Sequence, residues 1–461
     1  MSIIAGFMVP HPPIIIPEVG RGEEKKASAT ISAYLKVAKE ISKLKPDTII
    51  ITSPHAEAYL DYFQIDGDKK FESDLSVFNA RNVKFSIYND LDFINELVKE
   101  CKNNKISAGT EGRKYDVIDH GSMVPLYFIN KNYSNYKLVR IGLSGFSLLD
   151  HYKLGMLIKE VSEKQNKKIV FVASGDLSHC QKEDGPYGFK EEGPIYDKQI
   201  MEVMSHGNFD KIFCFDYDFL EKAEECGHKS FVIMAGAFNK MGVASMQLSH
   251  EAPFGVGYGV CSFYPKGIDE SRDFYSLVRK KEDEAYMRRL KNEDEYCRLA
   301  RLSLESYIKE NRVIDISNDL SSELLNKKAG VFVSLKKFGE LRGCIGTIEA
   351  TKSSIAKEII DNAIEASTRD PRFNQVLESE LKDLVYSVDV LGPISKIKNK
   401  DELDVKRYGV IVKNGYKQGL LLPNLEGVDT IDEQISIAKR KAGIGKYDNV
   451  ELFRFEVIRH K

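Results

Sequence analysis

The first 264 residues alternate short runs of β-branched and aliphatic residues with longer segments that carry apolar residues at helical spacing. This alternation predicts an α/β domain, with a sheet and helices on its faces. Four runs are continuously apolar, which predicts inner strands buried on both faces: "IIAGFMV" from Ile3, "DTIIITS" from Asp47, "KLVRIGL" from Lys137 and "KKIVFVAS" from Lys167. The segments "ATISAYLKVAKEISKLK" and "DHYKLGMLIKEVSEKQ" predict two of the helices.

The pattern changes between Lys266 and Asp294, where the chain becomes strongly charged and shows no strand pattern. Such a segment is typical of a solvated helical connection between domains. Beyond it, the helical segments "EYCRLARLSLESYIKEN" and "SIAKEIIDNAIEAS" are interspersed with strand-like runs such as "GVFVSLKK" and "GVIVKNG". The sequence therefore predicts an α/β domain over 1–265, a charged helical linker over 266–289 and a smaller α+β domain over 290–461.

Length and composition agree with two globular domains, since 461 residues exceed the usual size of one. Lys and Arg total 67 against 69 Asp and Glu, so no global field favours nucleic acid or an anionic membrane as partner. The seven cysteines are scattered without CxxC spacing, which indicates reduced thiols. With no signal-peptide pattern and no run of about 18 apolar residues, we expect a cytoplasmic protein with a small-molecule partner. Self-association stays open.

Four histidines share one setting, at the end of a predicted strand or in the loop that follows. They are His11 in "VPHPP", His55 in "TSPHAEA", His120 in "IDHGSMVP" and His179 in "ASGDLSHC". Loops at the carboxyl ends of strands are where open α/β sheets bind ligands, so these side chains are expected to converge. Any one of them alone would be an ordinary loop histidine.

Glu251 in "LSHEAPFGVGYG" is a candidate carboxylate partner for the histidines. Two histidines and one carboxylate form the facial triad of non-haem Fe(II) oxygenases, and any remaining histidine can act as acid, base or hydrogen-bond donor. The adjacent His250 is the rival third ligand. The other groups in this region are expected to be structural: His151, His206 and His460 as exposed side chains, Cys180 and Cys226 as small buried apolar residues.

The ordered set "VPHPP", "SPH", "DHGSMVPLYF", "SGDLSH" and "HEAPFGVGYG" resembles the class III extradiol ring-cleavage (LigB-like) dioxygenases, and within them the Memo-like branch. The resemblance implies a mixed sheet with helices on both faces. It also implies Fe(II), with zinc or another divalent metal as alternatives, on His11, His55 and Glu251. His179 would be the acid/base residue, with His120 beside the substrate and bound oxygen. A small catechol-like aromatic compound would be the substrate.

The second domain carries "FGELRGCIGTIEA", "STRDPRF" and "YGVIVKNGYKQGLLLP", which resemble the AMMECR-type domain. Fusions of the two domain types belong to the AmmeMemoRadiSam set, which implies a radical-SAM protein as partner. Two functions are therefore open. One is an extradiol dioxygenase-like oxidoreductase, and the other is a metal-binding adaptor on a dioxygenase-like scaffold that serves the radical-SAM partner without cleaving rings.

Two groups in the second domain are candidate sites with structural alternatives. Cys344 follows Arg342 and lies between glycines, so backbone amides and a cation could lower its thiol pKa and make it reactive. Alternatively, Gly343 and Gly346 permit tight packing around a buried apolar Cys344. The second group is Arg369, Asp370, Pro371 and Arg372, which form either an anion site or an ordinary helix end with charge pairing.

Overall fold

The protein forms two compact units, Met1–Glu282 and Asp283–Lys461, in a computed structural model that describes residues 2–112, 119–425 and 427–461. The division falls inside the charged segment for which the sequence predicts a linker. Within the described ranges, no helix is both long and apolar enough to cross a lipid bilayer.

Unit 1 begins with a strand and ends in a long helix that continues past its boundary. Its strands are β1 (Ile3–Val9), β2 (Thr48–Ser53), β3 (Phe63–Gln64), β4 (Lys70–Leu75), β5 (Ala80–Tyr88), β6 (Ala108–Gly109), β7 (Lys137–Gly142), β8 (Ile169–Ser174), β9 (Met241–Glu251) and β10 (Tyr258–Ile268). Its helices are α1 (Pro17–Gly20), α2 (Ser28–Leu44), α3 (Leu91–Asn103), α4 (His120–Asn130), α5 (Leu148–Gln165), α6 (Glu192–His206), α7 (Tyr217–Ala223), α8 (His228–Ala237) and α9 (Phe274–Asn292).

The central sheet has six strands in the order β7-β2-β8-β1-β10-β9. The first four are parallel, whereas β10 runs antiparallel to β1 and β9 antiparallel to β10. Successive side chains of a strand point to opposite faces, so Phe7 and Met8 enter two different apolar clusters. Helices α2 and α4 cover one face, and α5 and α8 cover the other. The predicted mixed sheet with helices on both faces is confirmed.

Two details differ from the sequence-based expectation. Strand β7 was expected to be an inner strand, but it lies at the edge of the sheet. Its apolar run is still buried, because the segments that contain Ile65 and Asn89 cover that edge. Each makes an isolated β-bridge to the strand, Ile65 to Ile141 and Asn89 to Leu138. Residues 266–268 belong to β10 instead of the helical linker, because Gly267 and Ile268 still pair with β9.

Unit 2 is the smaller, sheet-rich domain. Its helices are α10 (Glu295–Glu310), α11 (Ser322–Asn326), α12 (Ile355–Thr368) and α13 (Ile431–Lys441). Its strands are β11 (Val331–Lys337), β12 (Glu340–Gly346), β13 (Leu384–Leu391), β14 (Ser395–Ile397), β15 (Gly409–Asn414), β16 (Lys417–Leu421), β17 (Glu451–Phe455) and β18 (Val457–His460). They form two sheets, β12-β11-β13-β18 and β14-β17-β15-β16. Helices α10 and α12 pack beside the first sheet and α13 against the second.

Parallel β1, β8 and β2 are neighbours in the sheet of unit 1, so their carboxyl ends lie side by side. The loops that leave these three strands contain three of the four predicted histidines. The fold therefore brings together residues that are far apart in sequence.

Candidate metal centre

His11 and His55 each follow the end of a parallel strand by two residues, β1 for His11 and β2 for His55. Pro10 and Pro12 flank His11 and restrict the backbone on both sides of it, because proline fixes its own φ and also limits the conformation of the preceding residue. The hydroxyl of Tyr34 donates a hydrogen bond to the carbonyl of Pro10. The Nε2 atoms of His11 and His55 lie 3.0 Å apart.

Cys226 completes the group from the segment that precedes α8. Its Sγ lies 3.6 Å from His11 Nε2. Among the residues that the structure describes, the ligand atoms of His11, His55 and Cys226 all lie within 4.8 Å of one another. Glycines make this approach sterically allowed, since a Cβ at Gly175 would lie 2.1 Å from the Cα of Gly227.

The hydrogen bonds of His11 determine which of its nitrogens is free. Ser174 Oγ donates to the carbonyl of Gly121 at 2.5 Å and therefore accepts from His11 Nδ1, 3.0 Å away. A hydroxyl has a single proton to donate, so His11 carries its proton on Nδ1. Its Nε2 lone pair then faces His55 and Cys226. Asp176 adds a second support, because its Oδ1 accepts from the backbone N–H of His11 at 2.7 Å.

His120 lies beside the pair, at the first position of α4. Its ring centroid is 3.9 Å from that of His55 and 5.5 Å from that of His11. Asp119 caps the helix by accepting from the backbone N–H of Ser122 at 3.0 Å, and it also accepts from Ser53 Oγ at 2.6 Å. This carboxylate therefore links the helix of His120 to the strand that precedes His55.

The buried Asp119 carboxylate is balanced by Arg140, whose Nη1 donates to it at 3.1 Å. Burial alone would raise the pKa of Asp119, but Arg140 and the serine hydrogen bonds lower it overall. The carboxyl is therefore ionised at neutral pH, and its link between α4 and β2 is charge-assisted.

His179 approaches from the loop after β8. Its ring stacks on that of Tyr187, with centroids 4.9 Å apart, and its backbone N–H donates to the carbonyl of Glu224 at 3.3 Å. Burial lowers its pKa, the charge of His55 adds to this, and Glu224 opposes it. A neutral imidazole at this position can accept a proton.

Glu251 and His250 lie at the end of β9, outside the group of three ligand atoms. Glu251 Oε1 accepts from both the backbone N–H and the hydroxyl of Thr30, at 2.6 and 2.7 Å. His250 Nε2 lies 3.3 Å from Asp197 Oδ2. Both side chains thus have protein partners in the structure, and ligation by either stays a prediction.

Burial dominates the electrostatics of the centre. It lowers the pKa of His11 well below the usual value, and the charges of His55, His120 and His179 lower it further. Burial and His120 lower the pKa of His55 to about 4, against the opposing effect of Asp119. Both rings are therefore neutral at neutral pH, which leaves their lone pairs available.

The pKa of Asp176 is shifted upward, unlike the pKa values of the histidines. Burial raises its pKa to about 7, with a further contribution from Asp197, while the hydrogen bond from His11 opposes the change. Burial also raises the pKa of the Cys226 thiol well above its usual value. A cation bound between these groups would stabilise the ionised forms of both.

The expectation for Cys226 as an apolar filler is not met, because its sulfur faces two imidazole nitrogens. Asp176 in "SGDLSH" is not among the predicted site residues, although it supports His11 from the motif that contains His179. The one available signal was position: Cys226 directly precedes a glycine and a helix, as ligands presented at loop ends often do.

The exposed setting expected for His151 and His460 is wrong. His151 is fully buried in α5, where its Nδ1 lies 2.8 Å from the carbonyl of Ser147 and its ring packs against Phe63. His460 stacks on Tyr296 with ring centroids 3.7 Å apart. Only His206 of the three is exposed as predicted.

In unit 2, the two candidate residues of the "LRGC" motif, Arg342 and Cys344, contact different partners. Arg342 has no partner across β11, because Leu335 pairs with Gly343 and Lys336 with Leu341. This β-bulge turns Arg342 toward Glu380, to which its Nη2 donates at 2.9 Å.

One of the two sequence-based alternatives for Cys344, a thiol whose pKa Arg342 lowers, finds no support in the structure, because Arg342 turns to Glu380. Burial raises that pKa, and the cations that oppose the increase are Arg372 and Lys441. The "STRDP" segment shows the charge pairing of a helix end, with Arg369 paired to Glu365 and Arg372 to Asp370.

The donor set in unit 1 fits a transition metal. Two neutral imidazole nitrogens and one thiol sulfur are ligands that Zn, Cu and Fe accept. The Nδ1 hydrogen bond of His11 is the outer support that metal-binding histidines normally have.

Comparison with known proteins adds two family matches. Residues 5–261 match the family of the catalytic LigB subunit of aromatic ring-opening dioxygenase, and residues 297–460 match the AMMECR1 family. Protein CA_C1420 of Clostridium acetobutylicum is 41% identical over 469 residues, covering 100% of both chains. A Thermotoga maritima protein is 49% identical over 171 residues, which cover 37% of this chain and 98% of its own.

Two solved structures are also similar. The crystal structure of PH0010 from Pyrococcus horikoshii has 31% sequence identity and a TM-score of 0.34, and covers 36% of this chain and 88% of that one. Protein JW3007 from Escherichia coli K12 has 12% identity and a TM-score of 0.39, and covers 57% of this chain and 99% of that one.

Proposed function

Because this chain belongs to the family of the catalytic LigB subunit of aromatic ring-opening dioxygenase and continues into an AMMECR1 domain, we propose that unit 1 is a metal-dependent oxidoreductase. The proposed metal is Fe(II), with zinc or another divalent metal as the alternatives. The proposed substrate is a small catechol-like aromatic compound.

One observation carries this proposal: the ligand atoms of His11, His55 and Cys226 lie within 4.8 Å of one another. Cys226 is the third member of this group, whereas Glu251, whose Oε1 accepts two hydrogen bonds from Thr30, lies outside it and remains a predicted ligand. His11 is already in the tautomer that presents Nε2, so no proton has to move before it binds a cation.

The remaining side chains have separate proposed roles around the metal. Bound Fe(II) supplies Lewis acidity and coordination positions for substrate oxygens and dioxygen. His179 is neutral and accepts a phenolic proton on binding, while Tyr187 holds its ring by stacking. His120 lies against His55, and its proposed role is to donate a hydrogen bond to a substrate oxygen. Asp119 and Arg140 position its helix.

A second function follows from the thiol itself. Thiolate is a soft ligand that favours Zn, Cu(I) and Fe–S clusters. The oxygenases of the facial-triad type instead bind Fe(II) through two histidines and a carboxylate. In this second candidate, unit 1 binds a metal without cleaving rings and serves as an adaptor for a radical-SAM protein. The thiol at the third position is the observation that favours it.

The two functions separate in one set of measurements on the full chain. Metal content is measured after anaerobic purification in the wild type, His11→Ala, His55→Ala and Cys226→Ser, with the exposed His206→Ala as the matched control. Oxygen uptake is then followed with catechols and aminophenols, and His179→Gln is compared with the wild type.

Metal loss in the three site variants, combined with substrate-dependent oxygen uptake that His179→Gln reduces, supports the oxidoreductase. Metal loss without oxygen uptake, together with measurable binding to a radical-SAM protein, supports the adaptor. Metal content that is unchanged in all three variants would show that the assigned site is wrong.

A further inference from the structure

One end of unit 2 combines a group of cations with two exposed tyrosines. It consists of the tip of the β15–β16 hairpin, residues 414–418, and the last turn of α13 with the loop that follows, residues 439–449. We call these two segments the basic end. They contain one carboxylate, Asp448, and five cations: Lys417, Lys439, Arg440, Lys441 and Lys446. The formal charge of the whole chain, −2, does not reveal this local excess.

Close packing of the hairpin on α13 brings the two segments together. A Cβ at Gly419 on β16 would lie 2.1 Å from the carbonyl oxygen of Ala438 on α13, so glycine is needed for this approach. As a result, Lys417 Nζ reaches the loop after the helix and donates to the carbonyl of Gly443 at 2.6 Å. The hairpin tip and the helix end therefore form one surface.

Further hydrogen bonds hold the loop in place. Lys439 Nζ donates to the carbonyls of Lys446 and Asp448, at 3.1 and 2.8 Å. Asn414 Nδ2 donates to the carbonyl of Asn449 at 2.8 Å. Because these contacts fix both segments, ordering the surface costs little entropy when a partner binds.

The charges of the basic end are not neutralised within the protein. Among the described residues, none of the five cations forms an ion pair with a carboxylate, and Lys417 and Lys439 donate to backbone carbonyls instead. Near the other end of α13, by contrast, Asp432 is paired with Lys400. Like charges gathered in this way produce a positive potential that attracts an anionic partner.

The helix dipole does not cancel this potential. The C-terminus of a helix carries about half a negative elementary charge, and cations in the last turn commonly offset it. Lys439, Arg440 and Lys441 supply three positive charges there. Lys417 from the hairpin and Lys446 from the loop add two more, which a helix end alone does not require.

Two tyrosine rings project from the same segments. Tyr416 is fully exposed and Tyr447 is 90% exposed. Tyr416 lies at the tip of the hairpin turn, after Gly415, whose φ of 58° is a conformation that glycine adopts readily. Tyr447 follows Lys446, whose Nζ lies 5.8 Å from the ring centroid. Neither ring packs into a core, so both can stack on a planar ligand.

We propose that the basic end of unit 2 binds single-stranded nucleic acid. Its five cations contact the phosphates, and Tyr416 and Tyr447 stack on unpaired bases. Proteins that bind single strands without sequence preference combine a cationic surface with aromatic side chains in this way. This binding is independent of the metal centre in unit 1.

The composition of the basic end favours nucleic acid over an anionic lipid surface. Membrane-surface segments bind through apolar area that enters the headgroup and acyl-chain boundary. The one large aliphatic side chain of the two segments, Ile444, is buried. The exposed rings are tyrosines, which retain a hydroxyl. The surface therefore offers faces for stacking and no aliphatic group for insertion.

Fluorescence anisotropy of a labelled 12-nucleotide oligouridylate, titrated with the full chain, tests the proposal. We expect the affinity to fall as salt is added, with a slope of log K against log salt of about −3. Each phosphate contact on a single strand contributes about −0.7 to that slope.

Substitutions at exposed positions separate stacking from charge. Tyr416→Ala and Tyr447→Ala should each weaken binding by about tenfold, because each removes one stacked base, whereas Tyr416→Phe keeps the ring and the affinity. Lys446→Gln should weaken binding and make the salt slope shallower by about 0.7. Lys357→Gln, which removes an exposed charge from α12, is the matched control and should change neither quantity.

Weaker binding in both tyrosine-to-alanine variants, with full binding in Tyr416→Phe, supports the proposal. It would be overturned if the wild type did not bind the oligonucleotide, or if the alanine variants bound it as tightly as the wild type. Equal effects of Lys357→Gln and Lys446→Gln would also overturn it. Vesicles of phosphatidylserine and phosphatidylcholine that bind more tightly than the oligonucleotide would assign the surface to a membrane instead.

Discussion

His11 Nε2 and His55 Nε2 lie 3.0 Å apart, in loops that follow two strands on either side of β8. Two imidazolium ions at that distance would repel each other strongly, and burial has already lowered the pKa of both rings. Both therefore remain neutral at physiological pH. Because His11 carries its proton on Nδ1, a metal ion that binds both Nε2 atoms requires His55 to carry its proton on Nδ1 as well.

The hydroxyl of Ser174 sets the tautomer of His11, so its removal is expected to weaken metal binding. In Ser174→Ala, His11 Nδ1 loses its acceptor and the ring can take the other tautomer. We expect metal affinity to fall by roughly 10- to 100-fold, the usual effect of losing such an outer hydrogen bond. Competition with a chelator of known affinity measures the change.

Ser262→Ala is the matched control for this prediction. Ser262 is also buried in the central sheet, and its hydroxyl has no hydrogen-bond partner among the described residues. Its removal should leave metal affinity unchanged. An equal loss of affinity in both variants would mean that Ser174 acts only through the packing of the sheet.

Arg140 neutralises a buried cluster of carboxylates beside the centre. Its guanidinium nitrogens lie 3.1 Å from Asp119, 3.4 Å from Asp66 and 3.6 Å from Glu57. Arg140→Met leaves these carboxylates buried without a counter-charge. We expect the free energy of unfolding of unit 1 to fall by about 3–5 kcal/mol, measured by urea denaturation.

Lys43→Met provides the comparison for Arg140, because it breaks an exposed ion pair with Glu40. Solvent screens such pairs, so the change should stay below about 1 kcal/mol. If Arg140→Met were no more destabilising than Lys43→Met, the buried cluster would not depend on this arginine.

The buried His151 is expected to make unit 1 sensitive to acid. Burial lowers its pKa to about 3 from the usual histidine value of about 6.5. Above pH 6.5 both folded and unfolded forms are neutral, so the histidine adds no pH dependence. Below it the unfolded chain binds a proton that the folded protein does not, and stability falls by up to about 1.4 kcal/mol per pH unit.

His151→Gln removes this acid sensitivity. We expect the stability difference between wild type and variant to be constant from pH 7 to 8 and to change in favour of the variant between pH 6.5 and 4. Urea midpoints followed by circular dichroism measure it. His206→Gln, at an exposed position, should show no such trend; a variant that tracks the wild type at every pH would contradict the assignment.

Much of the fold of unit 1 follows from the sequence because its strands are long apolar runs with clear ends. Strand β1 occupies the predicted residues Ile3–Val9, and β2 and β8 lie within the predicted runs. The edge position of β7 does not follow, because an apolar run records burial and not which strand lies beside it. Segments from elsewhere in the chain cover β7.

His11, His55 and His179 were predictable because each follows a strand at a recognisable break, whereas His120 begins α4. Cys226 was not, because it is brought in by tertiary packing at Gly175 and Gly227 instead of by a strand end. Similarly, Arg342 precedes Cys344 in sequence, but a bulge turns it away, and Arg372 from a distant loop takes its place beside the cysteine. Local sequence identifies the candidate residue, and the fold determines which side chains lie beside it.

X-ray absorption at the iron edge tests the central claim most directly, because it detects sulfur in the ligand shell. For the full chain loaded anaerobically with Fe(II), the account predicts one sulfur at about 2.3 Å, the length of a metal–thiolate bond. That signal should vanish in Cys226→Ser and persist in Glu251→Gln. The absence of sulfur in the wild type, or its persistence in Cys226→Ser, would contradict the assignment of His11, His55 and Cys226 as the metal site.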